Sequence, residues 1–246
     1  MTTTSKQPRN AIESARRTIE LELHAVEQLQ HRIDESFTHA VELLSAVKGR
    51  VIVSGMGKSG HIGNKIAATL ASTGTPAQFV HPAEACHGDM GMITRSDAAL
   101  LMSNSGTTAE ITALLPLLKR LGLPIVAMTG NPDSTLARAA DAHLNISVDE
   151  EACPLDLAPT ASTTANLVMG DALAIAMLEQ SGFTAEDFAF THPGGALGRR
   201  LLTRVSDVLV TGSDIPKVSL TMSLADALME ISAKGLGMST VVDNHD

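Results

Sequence analysis

The chain has 246 residues, of which 44% are hydrophobic and 18% charged, so it can bury a core and is not a disordered polyampholyte. Its formal net charge of −9 argues against binding to nucleic acid or to anionic membrane surfaces. The two cysteines are too few for a disulfide framework or a thiolate zinc site. The sequence carries neither a signal-peptide pattern nor an apolar run long enough to span a membrane. We therefore expect a cytoplasmic protein that binds neither nucleic acid nor membranes.

Apolar residues recur at helical spacing between Pro8 and Val47, which predicts one or two amphipathic N-terminal helices. The pattern leaves open whether this apolar stripe packs on the same chain or on a partner. From Gly49 onward short apolar runs alternate with helical patterns. The predicted strands are Arg50–Ser54, Ala77–Val80, Ala98–Ser103, Pro124–Thr129 and Ala142–Ile146. The predicted helices are Lys58–Ser72, Thr108–Leu121, Ser134–Ala140, Ser162–Ser181 and Thr184–Phe190.

This alternation predicts an α/β fold with a doubly wound, parallel five-stranded sheet between two helical layers. A boundary is expected near Val205, giving a main domain over 1–205. Residues 206–246 have the pattern of a strand, a loop, a helix and the start of a strand. About 40 residues of this kind cannot bury a core alone, so we expect an incomplete second module.

The segment Ser103–Glu110 follows a predicted strand and opens a predicted helix. It combines a glycine with several hydroxyls where the first N–H groups of a helix are free, which suits a phosphate monoester. An ordinary Ser/Thr helix cap would explain one hydroxyl but not three. The candidate phosphate-binding residues here are Ser103, Asn104, Ser105 and Thr108.

The segment Ser54–His61 also follows a strand. It lacks the spacing of a Walker loop, and its match to the dinucleotide-binding glycine pattern is weak because no acidic residue follows the second strand. A tight turn that directs Lys58 and Ser59 at an anion fits the segment better, although a glycine-rich turn with a surface lysine is the simpler alternative. The candidate ligand-binding residues here are Ser54, Gly57, Lys58 and Ser59.

Together these two turns resemble the SIS (sugar isomerase) domain family. The resemblance grows closer through an ordered set of downstream segments: Phe79–Ala85, His87–Asp89, Glu151–Pro154, Leu157–Thr160, Ser162–Thr164 and His192–Gly198. That set is similar to the arabinose-5-phosphate isomerases within the family and extends from about Ile12 to Ser206. The tail from Val218 resembles the start of a CBS module. The resemblance implies a flavodoxin-like three-layer sandwich that interconverts D-ribulose 5-phosphate and D-arabinose 5-phosphate through an enediolate. It also implies a place in the supply of Kdo, the eight-carbon sugar acid of lipopolysaccharide.

The resemblance further implies roles for single residues. Ser59, Ser103, Ser105 and Thr108 would hold the phosphate, and His87 would contact the substrate. Four residues would carry the chemistry, with Glu151 as the proton-transfer base, Glu110 as the alternative base, Lys58 stabilising the enediolate and His192 opening the sugar ring. If Asp149 and Glu150 lie close to Glu151, like-charge repulsion would raise its pKa.

We expect no cofactor and no required metal, with an inhibitory zinc ion at His87 as the one metal role. The family pattern implies that active-site histidines come from a neighbouring subunit, so we expect a homotetramer. Another SIS enzyme, such as a phosphoheptose or hexulose-phosphate isomerase, is the nearest alternative. A sugar-phosphate-sensing regulator is disfavoured because no basic recognition helix precedes the sheet.

Overall fold

The computed structural model describes residues 10–243 and divides the chain into two compact units, with the boundary between His192 and Pro193. The boundary expected near Val205 falls inside the second of these units. The N-terminal helical range was expected to begin at Pro8, which lies outside the described residues.

Five parallel strands form the sheet of the first unit: β1 (Val51–Gly55), β2 (Ala77–Phe79), β3 (Ala98–Met102), β4 (Ile125–Thr129) and β5 (Ala142–Asn145). Their spatial order is β2-β1-β3-β4-β5, the flavodoxin-like order of a doubly wound sheet. The central strands β1, β3 and β4 are buried at every position, which explains why they are almost entirely apolar. The predicted fold class is confirmed.

Nine helices accompany the sheet in the described part of this unit: α1 (Ala11–Gln30), α2 (Glu35–Ser45), α3 (Gly57–Ser72), α4 (Pro82–Cys86), α5 (Ala109–Thr112), α6 (Leu115–Leu121), α7 (Thr135–Ala139), α8 (Ala161–Ser181) and α9 (Ala185–Thr191). Helices α2, α3 and α8 cover one face of the sheet around a core that contains Val53, Ile66, Met102 and Leu173. The shorter helices α4 to α7 cover the other face, where Ile52, Leu101 and Ile111 are buried. The first unit is therefore the expected three-layer sandwich.

The helix expected over Thr108–Leu121 is two helices, α5 and α6. Pro116 lies in the first turn of α6 and has no N–H group to continue the hydrogen bonding of α5, so the helix restarts there. Helix α4 and a 3₁₀ turn over Asp89–Met92 were not predicted at all. Ser134 caps α7 as expected, since its hydroxyl accepts a hydrogen bond from the N–H of Ala137 at 3.2 Å.

Helix α8 is long and apolar enough to cross a membrane by length and composition, although the sequence was not expected to contain such a segment. Half of its most apolar stretch is buried inside the fold, as in the core helix of a folded domain. Its buried positions include Gly170, which lies against Ile66 of α3. The apolar character of α8 is therefore used in helix packing.

The second unit contains α10 (Ala196–Leu202), α11 (Val205–Val208), β6 (Lys217–Ser219), α12 (Leu224–Lys234) and β7 (Thr240–Val242). Strands β6 and β7 pair in parallel. Val218 is buried, whereas Leu224, Leu228 and Met229 on α12 are more than half exposed. The described part of this unit leaves most of its apolar surface uncovered.

Candidate active site

The two candidate loops leave the sheet side by side. Strands β1 and β3 are neighbours, with Ser54 beside Leu101 and Gly55 beside Met102. The chain continues from β1 to β2 on one side and from β3 to β4 on the other, so a crevice opens between the carboxyl ends of β1 and β3. Ligands of open α/β sheets bind at such switch points.

The loop after β1 is a tight turn, as predicted. Gly57 has a φ of +59°, a left-handed conformation that favours glycine, and a Cβ on Gly60 would lie 2.6 Å from the carbonyl oxygen of Gly55. Helix α3 begins here without a side-chain cap, so its first N–H groups are available to an anion.

Three side chains in and before this loop have no hydrogen-bond or ion-pair partner among the described residues. The Oγ atom of Ser54 is buried and has no hydrogen-bond partner among the described residues, an arrangement that is costly unless a ligand or water supplies one. Lys58 is exposed and Ser59 half-buried, and neither side chain is paired within residues 10–243. All three side chains are thus free to meet a ligand in the crevice.

The loop after β3 is organised by its own hydroxyls. The buried Ser103 shares a hydrogen bond with Thr108, at 2.8 Å between Oγ and Oγ1, and accepts one from the N–H of Gly106 at 3.1 Å. Ser105 Oγ accepts hydrogen bonds from the N–H and the hydroxyl of Thr107. Several hydroxyls therefore line one short turn. Asn104 beside them is exposed.

The helix that follows this loop is shorter than the sequence suggested. Helix α5 has four residues, so its dipole is small and cannot contribute to a phosphate site as a long helix would. The anion-binding capacity of this loop rests on its hydroxyls and turn N–H groups instead. Glu110 lies exposed in the single turn of α5.

Glu151 follows β5 and is bound to the start of α8. Its Oε2 atom accepts hydrogen bonds from the N–H of Thr160 at 2.7 Å, the hydroxyl of Thr160 at 2.9 Å and the N–H of Ser162 at 3.3 Å. Burial raises the pKa of this carboxyl, but the hydrogen bonds from Ser162 and Thr160 together lower it further, so the net pKa is below the ordinary value. Glu151 is therefore an ionised carboxylate at neutral pH.

The expectation that Asp149 and Glu150 raise the pKa of Glu151 is wrong. Both acids face α1: Glu150 lies 3.7 Å from the Arg17 guanidinium, and Asp149 lies 3.3 Å from the His24 ring. The hydrogen bonds from Ser162 and Thr160 outweigh burial at Glu151 and lower its pKa.

His192 ends α9 and is not brought to the other candidate residues within one chain. Its ring stacks on Phe188 with the ring centroids 4.0 Å apart. The preceding Thr191 donates a hydrogen bond to the carbonyl of Ser72, the last residue of α3, at 3.3 Å. Lys58 and Ser59 lie in the first turn of the same helix. Because α3 has 16 residues, it is about 24 Å long, and His192 lies at its far end.

His87 follows α4 and is exposed, as are Cys86 and Asp89. Within residues 10–243 no three His, Cys, Asp or Glu side chains are arranged to hold a metal ion.

A family model described as the SIS domain matches residues 43–176, more than half of the chain. The chain belongs to the SIS domain family. The matched range includes β1 to β5, both loops of the crevice and most of α8. The resemblance noted from the sequence is thereby confirmed.

Named relatives within the SIS family agree with one another. The arabinose 5-phosphate isomerase KdsD of Pseudomonas aeruginosa (PAO1) is 66% identical over 234 residues, which are 95% of this chain and 72% of that protein. Its namesake in Escherichia coli (strain K12) is 56% identical over 233 residues, which are 95% of this chain and 71% of that protein. A solved structure of an E. coli CFT073 protein in complex with arabinose 5-phosphate has a TM-score of 0.72 and 43% identity, covering 78% of this chain and all of the other.

Several polar groups at the SIS site were given no role from the sequence. Thr160 and Ser162 were noted only as parts of a motif, yet they bind the carboxylate of Glu151. The Nδ1 atom of His81, just after β2, is buried without a partner in the described part of the chain. A Ser/Thr-rich run before a helix is a cap signal, but its pairing with a residue nine positions earlier has no local signature.

Proposed function

We propose that this SIS protein is an aldose–ketose isomerase that interconverts D-ribulose 5-phosphate and D-arabinose 5-phosphate. The 66% identity to the P. aeruginosa arabinose 5-phosphate isomerase, spread over 95% of the chain, carries the proposal. The crevice between β1 and β3 supports it, because hydroxyls, free N–H groups and one unpaired lysine of the described chain converge there.

The reaction moves one proton between C1 and C2 through an enediolate. In the ketose-to-aldose direction a base removes a proton from C1 and returns one to C2, while the oxygen on C2 gains a proton and the oxygen on C1 loses one. We assign the base to Glu151, since an ionised carboxylate can accept the proton at neutral pH. Glu110 is the alternative base, and Lys58 stabilises the negative charge that develops on the enediolate oxygens.

At the other end of the substrate the phosphate is held by the two loops. The hydroxyls of Ser59, Ser103, Ser105 and Thr108 act as donors. Ser54, Gly57 and Asn104 complete the pocket, and the buried hydroxyl of Ser54 gains the partner that it lacks in the described structure. His87 contacts the sugar from the β2 side and can take up an inhibitory zinc ion.

His192 opens the sugar ring in the site of a neighbouring copy. This assignment is supported by its place at the far end of α3 from Lys58. A homotetramer is supported by the apolar side chains Ile12, Ile19 and Leu23, which lie 61%, 66% and 55% exposed along α1. Their spacing of seven and four residues puts them on one helix face that a second copy can cover.

The wider setting follows from the same assignment. The product feeds Kdo and lipopolysaccharide synthesis in the cytoplasm. Residues 1–205 form the catalytic SIS domain, and residues 206–246 form part of a CBS module, in which the uncovered apolar face of α12 packs against further CBS structure.

The test is a substrate panel of D-ribulose 5-phosphate, ribose 5-phosphate and sedoheptulose 7-phosphate. We expect turnover of D-ribulose 5-phosphate alone, reduced about 10²–10⁴-fold in Glu151→Gln, since losing one general base has that effect. Glu110→Gln is measured beside it, because Glu110 is the alternative base, and it should retain more activity than Glu151→Gln. If Glu110→Gln is inactive while Glu151→Gln remains active, Glu110 rather than Glu151 is the base. If the protein turns over sedoheptulose 7-phosphate alone, the proposed substrate is wrong.

A further inference from the structure

We propose that Thr160 is a positioning residue that fixes the Glu151 carboxylate with one oxygen, Oε1, left free to transfer the proton. The inference rests on the proposed role of Glu151 as the base. The hydrogen bonds of 2.7, 2.9 and 3.3 Å to the carboxylate all end on Oε2, two of them from Thr160, and the Ser162 side chain also stabilises the charged carboxylate. In this proposal Oε2 is the oxygen that is held and Oε1 is the oxygen that takes the proton.

The hydroxyl of Thr160 is engaged on both sides. It donates its single hydrogen to Glu151 Oε2 at 2.9 Å and accepts the N–H of Ala152 at 2.8 Å. The same side chain therefore holds both the carboxylate of Glu151 and the backbone that follows it. Rotation of the Glu151 side chain would break all three of its hydrogen bonds, so its orientation is set before substrate arrives.

A purely structural role for Thr160 would use its hydroxyl differently. Thr160 is the N-cap residue of α8, and an N-cap threonine ordinarily accepts a hydrogen bond from an N–H of the first turn. Here its side chain makes no such bond. The hydroxyl donates to Glu151 instead, and the Glu151 carboxylate takes over the capping of α8 by accepting the N–H of Ser162.

The loop that carries Glu151 is also held from outside. Arg17 of α1 donates a hydrogen bond to the carbonyl of Ala152 at 2.8 Å, and the carboxylate of Asp156 accepts the N–H of Glu151 at 3.1 Å. These contacts hold the backbone of Glu151 in place. The side chain of Thr160 extends this control to the carboxylate, together with that of Ser162.

The test compares Thr160→Val, which loses the hydroxyl, with Thr160→Ser, which keeps it. We expect Thr160→Val to lower kcat about 10–100-fold, because a small misplacement of a catalytic group has effects of this size. KM should change much less, since the residues proposed to bind the phosphate are unchanged. The acidic limb of the kcat/KM profile should move to higher pH, because the pKa of Glu151 rises when a hydrogen bond to its charged form is lost. Thr160→Ser should retain kcat and the wild-type limb.

Thr163→Val is the matched control: its hydroxyl lies in the same turn of α8 and donates only to the Thr160 carbonyl, at 2.8 Å. Should Thr160→Val fail to fold, Thr160→Ala tests the same loss, and a ¹³C NMR titration of the Glu151 carboxyl in the wild type must give a pKa below the ordinary glutamate value. A wild-type kcat and acidic limb in a folded hydroxyl-free variant, with Glu151→Gln inactive, would overturn the positioning role alone. An active Glu151→Gln would instead remove the proposed base.

Discussion

Mixing two inactive variants should restore activity if His192 acts in the site of a neighbouring copy. Glu151→Gln and His192→Asn each lack one group that the proposed mechanism requires. When the two are refolded together in equal amounts, random assembly gives about one site in four that has the native residue from both copies. We therefore expect roughly a quarter of the wild-type activity from the mixture, against almost none from either variant alone.

The position of His192 in the structure is the reason for this expectation, and Lys58 provides the control variant. His192 lies beside Ser72 at the end of α3, whereas Lys58 lies in its first turn, so roughly 20 Å of helix separates them at 1.5 Å per residue. Gly74, just after α3, lies against Phe183, just after α8, so the two helices end together and their first turns lie at the same edge of the sheet. The proposal accordingly takes Lys58 and Glu151 from one chain. A mixture of Lys58→Ala and Glu151→Gln should therefore restore nothing. Differently tagged copies would verify that mixed oligomers form. If verified mixed oligomers of the first pair stay inactive, the shared-site reasoning is wrong.

Three further outcomes follow from single contacts. Gly170→Ala should destabilise the fold by about 1–3 kcal/mol, as overpacking does, because the new Cβ would lie 2.2 Å from Ile66 Cδ1. Urea unfolding measures the loss of stability. Adding Ile66→Val, which removes that methyl group, should recover part of it. Backbone N–H groups of residues 155–158 stabilise the Cys153 thiolate and lower its pKa. In a Cys86→Ser variant, the rate at which Cys153 reacts with iodoacetamide should therefore rise with a pH midpoint below the ordinary thiol pKa. A pH midpoint at or above that value would contradict this. The pKa of Glu151 is lowered on folding, so the ionised carboxylate stabilises the folded protein at pH values above its unfolded pKa, and this contribution is lost as the pH falls through its folded pKa. Between neutral pH and about pH 3, the urea midpoint of Glu151→Gln should therefore fall less than that of the wild type.

Local sequence pattern was enough to predict the sheet. The buried strands are short apolar runs, and the loops after them carry the glycines and hydroxyls that a ligand crevice needs. Because carboxyl ends of parallel strands share one edge, both loops lie at that edge of the sheet. The spatial order of the strands then puts both at the switch point.

What could not be predicted depends on contacts between distant residues. The pKa of Glu151 is lowered, against the effect of burial, by hydrogen bonds from Ser162 and Thr160, and its acidic neighbours lie beside Arg17 and His24 of α1, at the other end of the domain sequence. The position of His192 depends on where α9 ends against α3. By contrast, the break between α5 and α6 had a local signal, because Pro116 was visible in the sequence.

The configuration at C2 of the product tests the central claim most directly. D-ribulose 5-phosphate would be incubated with the protein in ²H₂O, and the aldose formed would be identified by ¹H NMR. We expect D-arabinose 5-phosphate, since the enediolate accepts the proton at C2 on one face, with deuterium at C2 to the extent that the proton held by Glu151 exchanges with solvent before it is returned. Formation of ribose 5-phosphate, which differs only in the configuration at C2, or no aldose at all, would contradict the assignment.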